Sequence, residues 1–221
     1  MHTPPDGVLS RLAGLAGIVA APQLILGIAY ASSLRPGFDQ LRQVVSELDQ
    51  AGAPSAAAFE EFAVLPFAVL LTIFAIGLHR SLPAGPVLGP FLVALGGLAL
   101  AASGLFPCDP GCPIPPVSWA GFEHTGLAVV GLSALAAAPM VLSLAMDLDG
   151  RWRPQWWASV GASRLAAFLI TSFGLASFLQ LAARATLERG LVLVLLVWIV
   201  LTGRHLFRLG QRSRLDTSLV A

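Results

Sequence analysis

The chain has 221 residues, of which 56% are hydrophobic and 11% charged, with a net charge of +1, and its mean hydropathy is +0.79. A soluble domain needs far more charge to cover its surface. So neutral a chain also carries no electrostatic signal for nucleic acid.

Six apolar stretches follow one another, at Leu12–Leu34, Phe59–Leu78, Val87–Phe106, Phe122–Met146, Leu165–Ala183 and Leu191–Leu206. About 20 apolar residues cross a bilayer core as a helix. The pattern therefore predicts an all-α, polytopic membrane protein, one domain built as a bundle of six transmembrane helices. Gaps of up to about twenty residues make neighbouring helices antiparallel and leave no room for a separate soluble domain. The first stretch, with Arg11 before it and Ala29-Tyr30-Ala31 ahead of Ser32, imitates a secretory signal and its cleavage site. It is longer than the usual signal core and is interrupted by Gln23, which predicts a retained span; cleavage would leave five.

In the first gap, Phe38, Leu41, Val44, Val45 and Leu48 recur at helical spacing, with Asp39, Arg42, Gln43, Ser46, Glu47 and Asp49 on the other faces. This predicts a short amphipathic helix, ended by Ala51-Gly52-Ala53-Pro54, that lies in the interface or folds over the bundle. Prolines fall in four spans, at Pro22, Pro66, Pro90 and Pro139, and are tolerated where neighbours satisfy the freed carbonyls. Small residues crowd the third span at Gly96, Gly97, Ala99 and Gly104, as close helix packing requires. The third gap holds the only two cysteines in Cys108-Asp109-Pro110-Gly111-Cys112. Pro-Gly favours a turn that brings the two sulfurs within bridging range, which predicts a disulfide.

All 13 basic residues are arginines. Nine of them (Arg11, Arg80, Arg151, Arg153, Arg164, Arg204, Arg208, Arg212 and Arg214) sit at the N-terminus, in the second and fourth gaps and in the tail; Arg35, Arg42, Arg184 and Arg189 occupy the other three gaps. Positive residues stay on the cytoplasmic side, so both termini of a multi-pass cell-membrane protein are predicted to be cytoplasmic. The cysteines then face outward, where disulfides persist.

The ionisable residues near the outer ends of the spans are the candidates for chemistry. Glu60 and Glu61 enter the second span, Glu123 and His124 the fourth, Asp109 precedes it, and Gln180 lies near the end of the fifth. Such a set can hold a metal with its bound water, although the sequence names neither a metal nor a cofactor. It can also place His124 as a general base, oriented by Asp109 or a glutamate such as Glu60, with Ser46 or Ser118 as nucleophile. No His-Glu-x-x-His or Gly-x-Ser-x-Gly motif accompanies it, and adjacent Glu123 and His124 point about 100° apart on a helix. Interfacial polar residues wetted by water would account for the same pattern. His79 and His205 each adjoin an arginine, which fits a helix C-terminus better than a haem site.

The stretch Arg35-Pro36-Gly37-Phe38-Asp39 through Val45-Ser46-Glu47-Leu48, with Gly104-Leu105-Phe106-Pro107, Asp109 and His124, resembles the prokaryotic membrane family called domain of unknown function 998. The resemblance covers nearly the whole chain and points to Ser46, Glu47, Asp109 and His124 as motif positions. Asp49 stands where that family often has a small residue or glycine, and the two cysteines are a further departure. Three readings of function follow. One is a membrane protein with an outward-facing polar pocket, lined by Glu47, Glu61, Glu123 and Gln180 beside His124, that binds a lipid or isoprenoid-like molecule. The second is an intramembrane hydrolase, or an acid/base cyclase or isomerase. The third is an accessory subunit or transporter component.

Overall fold

The computed structural model describes residues 7–82 and 87–220, with side chains as far as residue 212; the side chain of Arg214 lies outside that set. Six helices follow in order: α1 (Gly7–Ser33), α2 (Ala56–Ser81), α3 (Leu88–Ser103), α4 (Trp119–Leu148), α5 (Arg153–Phe178) and α6 (Arg184–Val220). Five are long and apolar enough to cross a membrane, and α3 is a shorter apolar helix. The chain is thus a polytopic membrane helical bundle.

Each helix packs on the next, and α6 closes back onto α1. Glycines mark the seams and their direction. Gly27 of α1 lies against Phe62, while Ala13 lies against Gly77, so α1 and α2 are antiparallel. The same sense holds for α3 and α4, where Gly89 meets Leu142 and Gly96 meets Leu135. At the α1–α6 seam a Cβ on Gly14 would come within 2.5 Å of the Phe207 amide nitrogen. That backbone-to-backbone approach needs glycine, as the small residues of the spans led us to expect.

Helix α2 is not regular. Glu60–Val64 forms a π turn in which the Leu65 amide reaches back to the Glu60 carbonyl. Pro66 follows, and because it has no N–H, the Phe62 carbonyl loses its partner one turn later. Gln23 of α1 supplies the missing donor: its Nε2 donates to the Phe62 carbonyl at 2.8 Å and to the Ala63 carbonyl at 3.3 Å. The glutamine that interrupts the first apolar run is therefore the partner of a proline in the second.

At the end of the bundle that carries the helix α1 start, the core is filled. Trp152 is fully buried, its Nε1–H directed at the Ser81 carbonyl 3.4 Å away and its ring 4.9 Å from His205. His205 Nε2 donates to the Arg151 carbonyl at 2.8 Å. One layer deeper, Trp198 Nε1–H donates to Ser159 Oγ at 3.0 Å. The two indoles plug this end.

The opposite end is covered by two loops, 34–55 and 104–118, which form a cap. The predicted amphipathic helix is helical only as the 3₁₀ turn Val45–Asp49. Upstream, side chains compete with helical bonding: Asp39 Oδ1 takes the Leu41 amide and Gln43 Oε1 takes the Asp39 amide. The apolar spacing still does its work, since Val44, Val45 and Leu48 are buried. In the second loop, the Cys112 amide donates to the Asp109 carbonyl at 2.8 Å, with Gly111 at φ +78°. This is the Pro-Gly turn expected from sequence, Gly111 holding the positive φ that a type II turn requires. Cys108 and Cys112 are joined by a disulfide across it.

Candidate functional site

Beneath the cap the bundle encloses a cavity of about 150 Å³. Every helix contributes a wall: Leu24 from α1, Phe67 from α2, Leu100 from α3, Leu132 from α4, Phe173 from α5 and Val192 from α6. Ser46 and Val45 of the 3₁₀ turn form its roof, and His124, Ser103, Arg184 and Glu188 are its polar and charged edges.

The cap is held down by charge. Glu188, buried one turn into α6, accepts the amide of Val45 and that of Ser46, capping the 3₁₀ turn from a different helix. Glu47 is buried and bends back to the Val44 amide at 3.2 Å. It also accepts from Gln43 Nε2 at 2.7 Å and lies 3.4 Å from Arg184 Nη2. Arg184 also donates to the Gly111 carbonyl, and Arg189 to the Gln43 carbonyl at 2.8 Å. Arg35 donates to the Glu47 carbonyl and to Gln50 Oε1. Gln50 Oε1 in turn accepts the Gly111 amide, while the Ala51 amide meets the Cys108 carbonyl. Of the four arginines assigned to this face, Arg184 and Arg189 thus tie the loops to α6, and Arg35 braces the first loop internally.

His124 sits where α3 runs out. Its Nδ1 lies 3.1 and 2.9 Å from the Ser103 and Phe106 carbonyls, the first of which also accepts the Phe106 amide at 3.1 Å. Two carbonyls at one ring nitrogen require that nitrogen to carry the proton. Asp49 Oδ2 lies 3.6 Å from the same Nδ1. In the neutral ring Nε2 is then the lone-pair acceptor; it is buried and has no protein partner. Asp49 is itself buried, and its carboxyl is pushed up to about 7, first by burial and then by the neighbouring Glu60 carboxylate. Both oxygens of Glu60 are buried without a hydrogen-bond partner, pressed against Gly104, where a Cβ would fall 1.8 Å from Oε2. Gly104 leaves room for the acid.

The remaining sequence candidates are placed as follows. Asp109 accepts the Val117 and Ser118 amides at 2.7 and 3.1 Å. Its carboxyl is held below the usual range by the hydrogen bonds from the Ser118 side chain and the two amides. It orders the start of α4, whose N-cap Ser118 accepts the Gly121 amide at 2.9 Å, and the acid set against His124 is Asp49. Ser46 lines the cavity, but no hydrogen bond joins its hydroxyl to His124. Glu61 is exposed and Glu123 half-buried. Gln180 is exposed and donates to the Ser177 and Ile114 carbonyls. Among the described residues no three His, Cys, Asp or Glu side chains lie close enough to hold a metal ion.

Sequence reasoning passed over Asp49, Arg184 and Glu188 as site residues. The i, i+4 spacing of Arg184 and Glu188 at the start of an apolar run was the available signal. For Asp49 the signal was its departure from the small residue common in the resembling family.

No curated protein and no solved structure matches the chain. The profile of the family described as "Protein of unknown function (DUF998)" matches residues 18–205, a stretch that takes in α2 to α5, parts of α1 and α6, the cap and His124, and the chain belongs to that family.

Proposed function

We propose that this protein binds a lipid, its cavity receiving the head and first carbons of an isoprenoid-like or acyl-chain amphiphile from the surrounding leaflet. The observation that carries this reading is the cavity itself, apolar on all six helices and polar at the roof, the composition of a small-molecule pocket. A dry cavity of about 150 Å³ holds benzene, so a longer chain must leave it. Val129 of α4 lines the cavity yet is 53% exposed, and α5 beside it buries no residue between Ala166 and Ala176. That seam is the exit for the chain. Ala128, also on the cavity wall, is the place to test this. Ala128→Trp should copurify with much less lipid than the parent at equal yield, measured by mass spectrometry of solvent extracts. Equal retention would sink the reading.

A second reading, an acid/base enzyme, is favoured by one arrangement, the Asp49 carboxyl 3.6 Å from Nδ1 of a His124 whose Nε2 is unpartnered, an acid and a base side by side at the cavity wall. It requires that a copurified lipid be converted by the parent and not by His124→Asn.

The arginine distribution supports an orientation with cytoplasmic termini and the cap outside. In a background lacking Cys108 and Cys112, a cysteine at exposed Ser118 should react with an impermeant thiol reagent in intact cells, and one at exposed Gly150 should not. The reverse pattern would invert the assignment.

A further inference from the structure

The lipid reading leaves the headgroup unnamed, and the charge and hydrogen-bonding capacity at the cavity edge name it. His124 carries its one ring proton on Nδ1, committed to the Ser103 and Phe106 carbonyls. Nε2 is consequently a buried acceptor with no donor in the protein, a condition costly enough that a partner is expected. The ring is 95% buried by residue and belongs to the cavity wall.

What can approach it is limited on both sides by charge. An anionic headgroup would meet Glu188 on the same wall, with Asp49 and Glu60 behind the imidazole. A cationic one would meet Arg184, also on that wall. Arg184 does not invite an anion either, since its guanidinium is turned to Glu47, the Gly111 carbonyl and Gln180. A neutral donor satisfies Nε2 without adding a charge to a site that already holds both signs.

Building on the lipid reading, we propose that the ligand is an uncharged long-chain alcohol, a prenol-like or free-hydroxyl lipid, whose hydroxyl donates to His124 Nε2. The Ser103 and Phe106 carbonyls at Nδ1 hold the tautomer that leaves Nε2 as acceptor.

The test compares chains that differ only at the head. Full-length protein in phosphatidylcholine nanodiscs is loaded with equal mole fractions of hexadecanol, hexadecyl methyl ether or hexadecylamine, and occupancy is read by native mass spectrometry. The parent should prefer the alcohol over the ether about tenfold, the worth of one buried hydrogen bond, and should prefer it over the amine. His124→Asn keeps an amide donor at the Nδ1 position and removes Nε2, so it should bind alcohol and ether equally. His124→Gln, which offers an acceptor near the Nε2 position, should restore part of the preference. Alcohol and ether bound equally by the parent would overturn the headgroup assignment and leave the lipid reading standing, a comparison that needs no variant to fold. An alcohol preference that survives in His124→Asn, or tighter binding of the amine, would likewise overturn it. Failure of all three chains to bind would remove the lipid reading itself.

Discussion

The two ends of this bundle solve the same problem in opposite ways. Around Trp152, the indoles, His205 and Ser159 pair with one another's neighbours and fill the space between helices, although Arg11 Nε, Gln155 Oε1 and Thr202 Oγ1 are also buried there without a partner. Under the cap, the helices leave a cavity, and Asp49, Glu60 and His124 keep acceptor atoms that nothing in the protein satisfies. A buried acceptor without a donor costs on the order of 1–3 kcal/mol, and empty space forfeits packing. One end is built for stability; the other spends some of that stability on a place where something else can bind.

This contrast can be broken by mutation. The largest loss is expected at the filled end: Trp152→Ala removes a fully buried side chain and should destabilise by about 3–5 kcal/mol, seen as a large fall in melting temperature. Next comes the cap. Replacing Cys108 and Cys112 by serine opens the disulfide, and closing so short a loop is worth about 2 kcal/mol in the unfolded chain. Calorimetry should show that loss, with proteolysis of the loops rising first. Gly104→Ala is expected to cost less, about 1–3 kcal/mol, because the clash is with a carboxylate that can rotate rather than with backbone. If Gly104→Ala proved as damaging as Trp152→Ala, the cap end would be as rigidly packed as the other and the contrast would fail.

The smallest effect concerns pH. The Asp49 carboxyl is raised from 3.8 to about 7 in the fold, so between those values the native state holds more protons than the unfolded one. Stability therefore falls as pH rises through that window and levels off above it. The parent should melt higher at pH 5.5 than at pH 8, whereas Asp49→Asn, which resembles the neutral acid, should lose part of that slope, the buried Glu60 and Glu188 carboxyls remaining in place. An unchanged slope in the variant would assign it to another group.

Much of the architecture was legible because apolar length is a strong signal: the six stretches became the six helices, and Pro110-Gly111 between two cysteines became a bridged turn. The π turn was not legible, and neither was its partner, since Gln23 meets the carbonyl freed by Pro66 from 43 positions away in sequence. The periodicity of 38–49 predicted the burial of Val44, Val45 and Leu48 but not the exposure of Leu41, the burial of Glu47 and Asp49, or the helix length, since its polar residues bond their own backbone. The ionisable candidates gather at the capped end of the bundle. Their pairing was not legible, because which acid faces His124 is decided by how the two loops fold over the bundle, and local spacing says nothing of that.

The shortness of α3 has a consequence for the bilayer around it. Its 16 residues reach about 24 Å at the rise of an α-helix, against a hydrocarbon thickness of about 30 Å. If α3 crosses the bilayer, local thinning is one way to relieve that mismatch, and the lipid beside α3 would dip toward the bundle where the helix ends at Ser103. Headgroups would then ride lower there than around the longer spans, close to the level of the imidazole. A molecule leaving the leaflet at that dimple would travel a shorter distance from water-facing headgroup region to cavity than anywhere else on the perimeter.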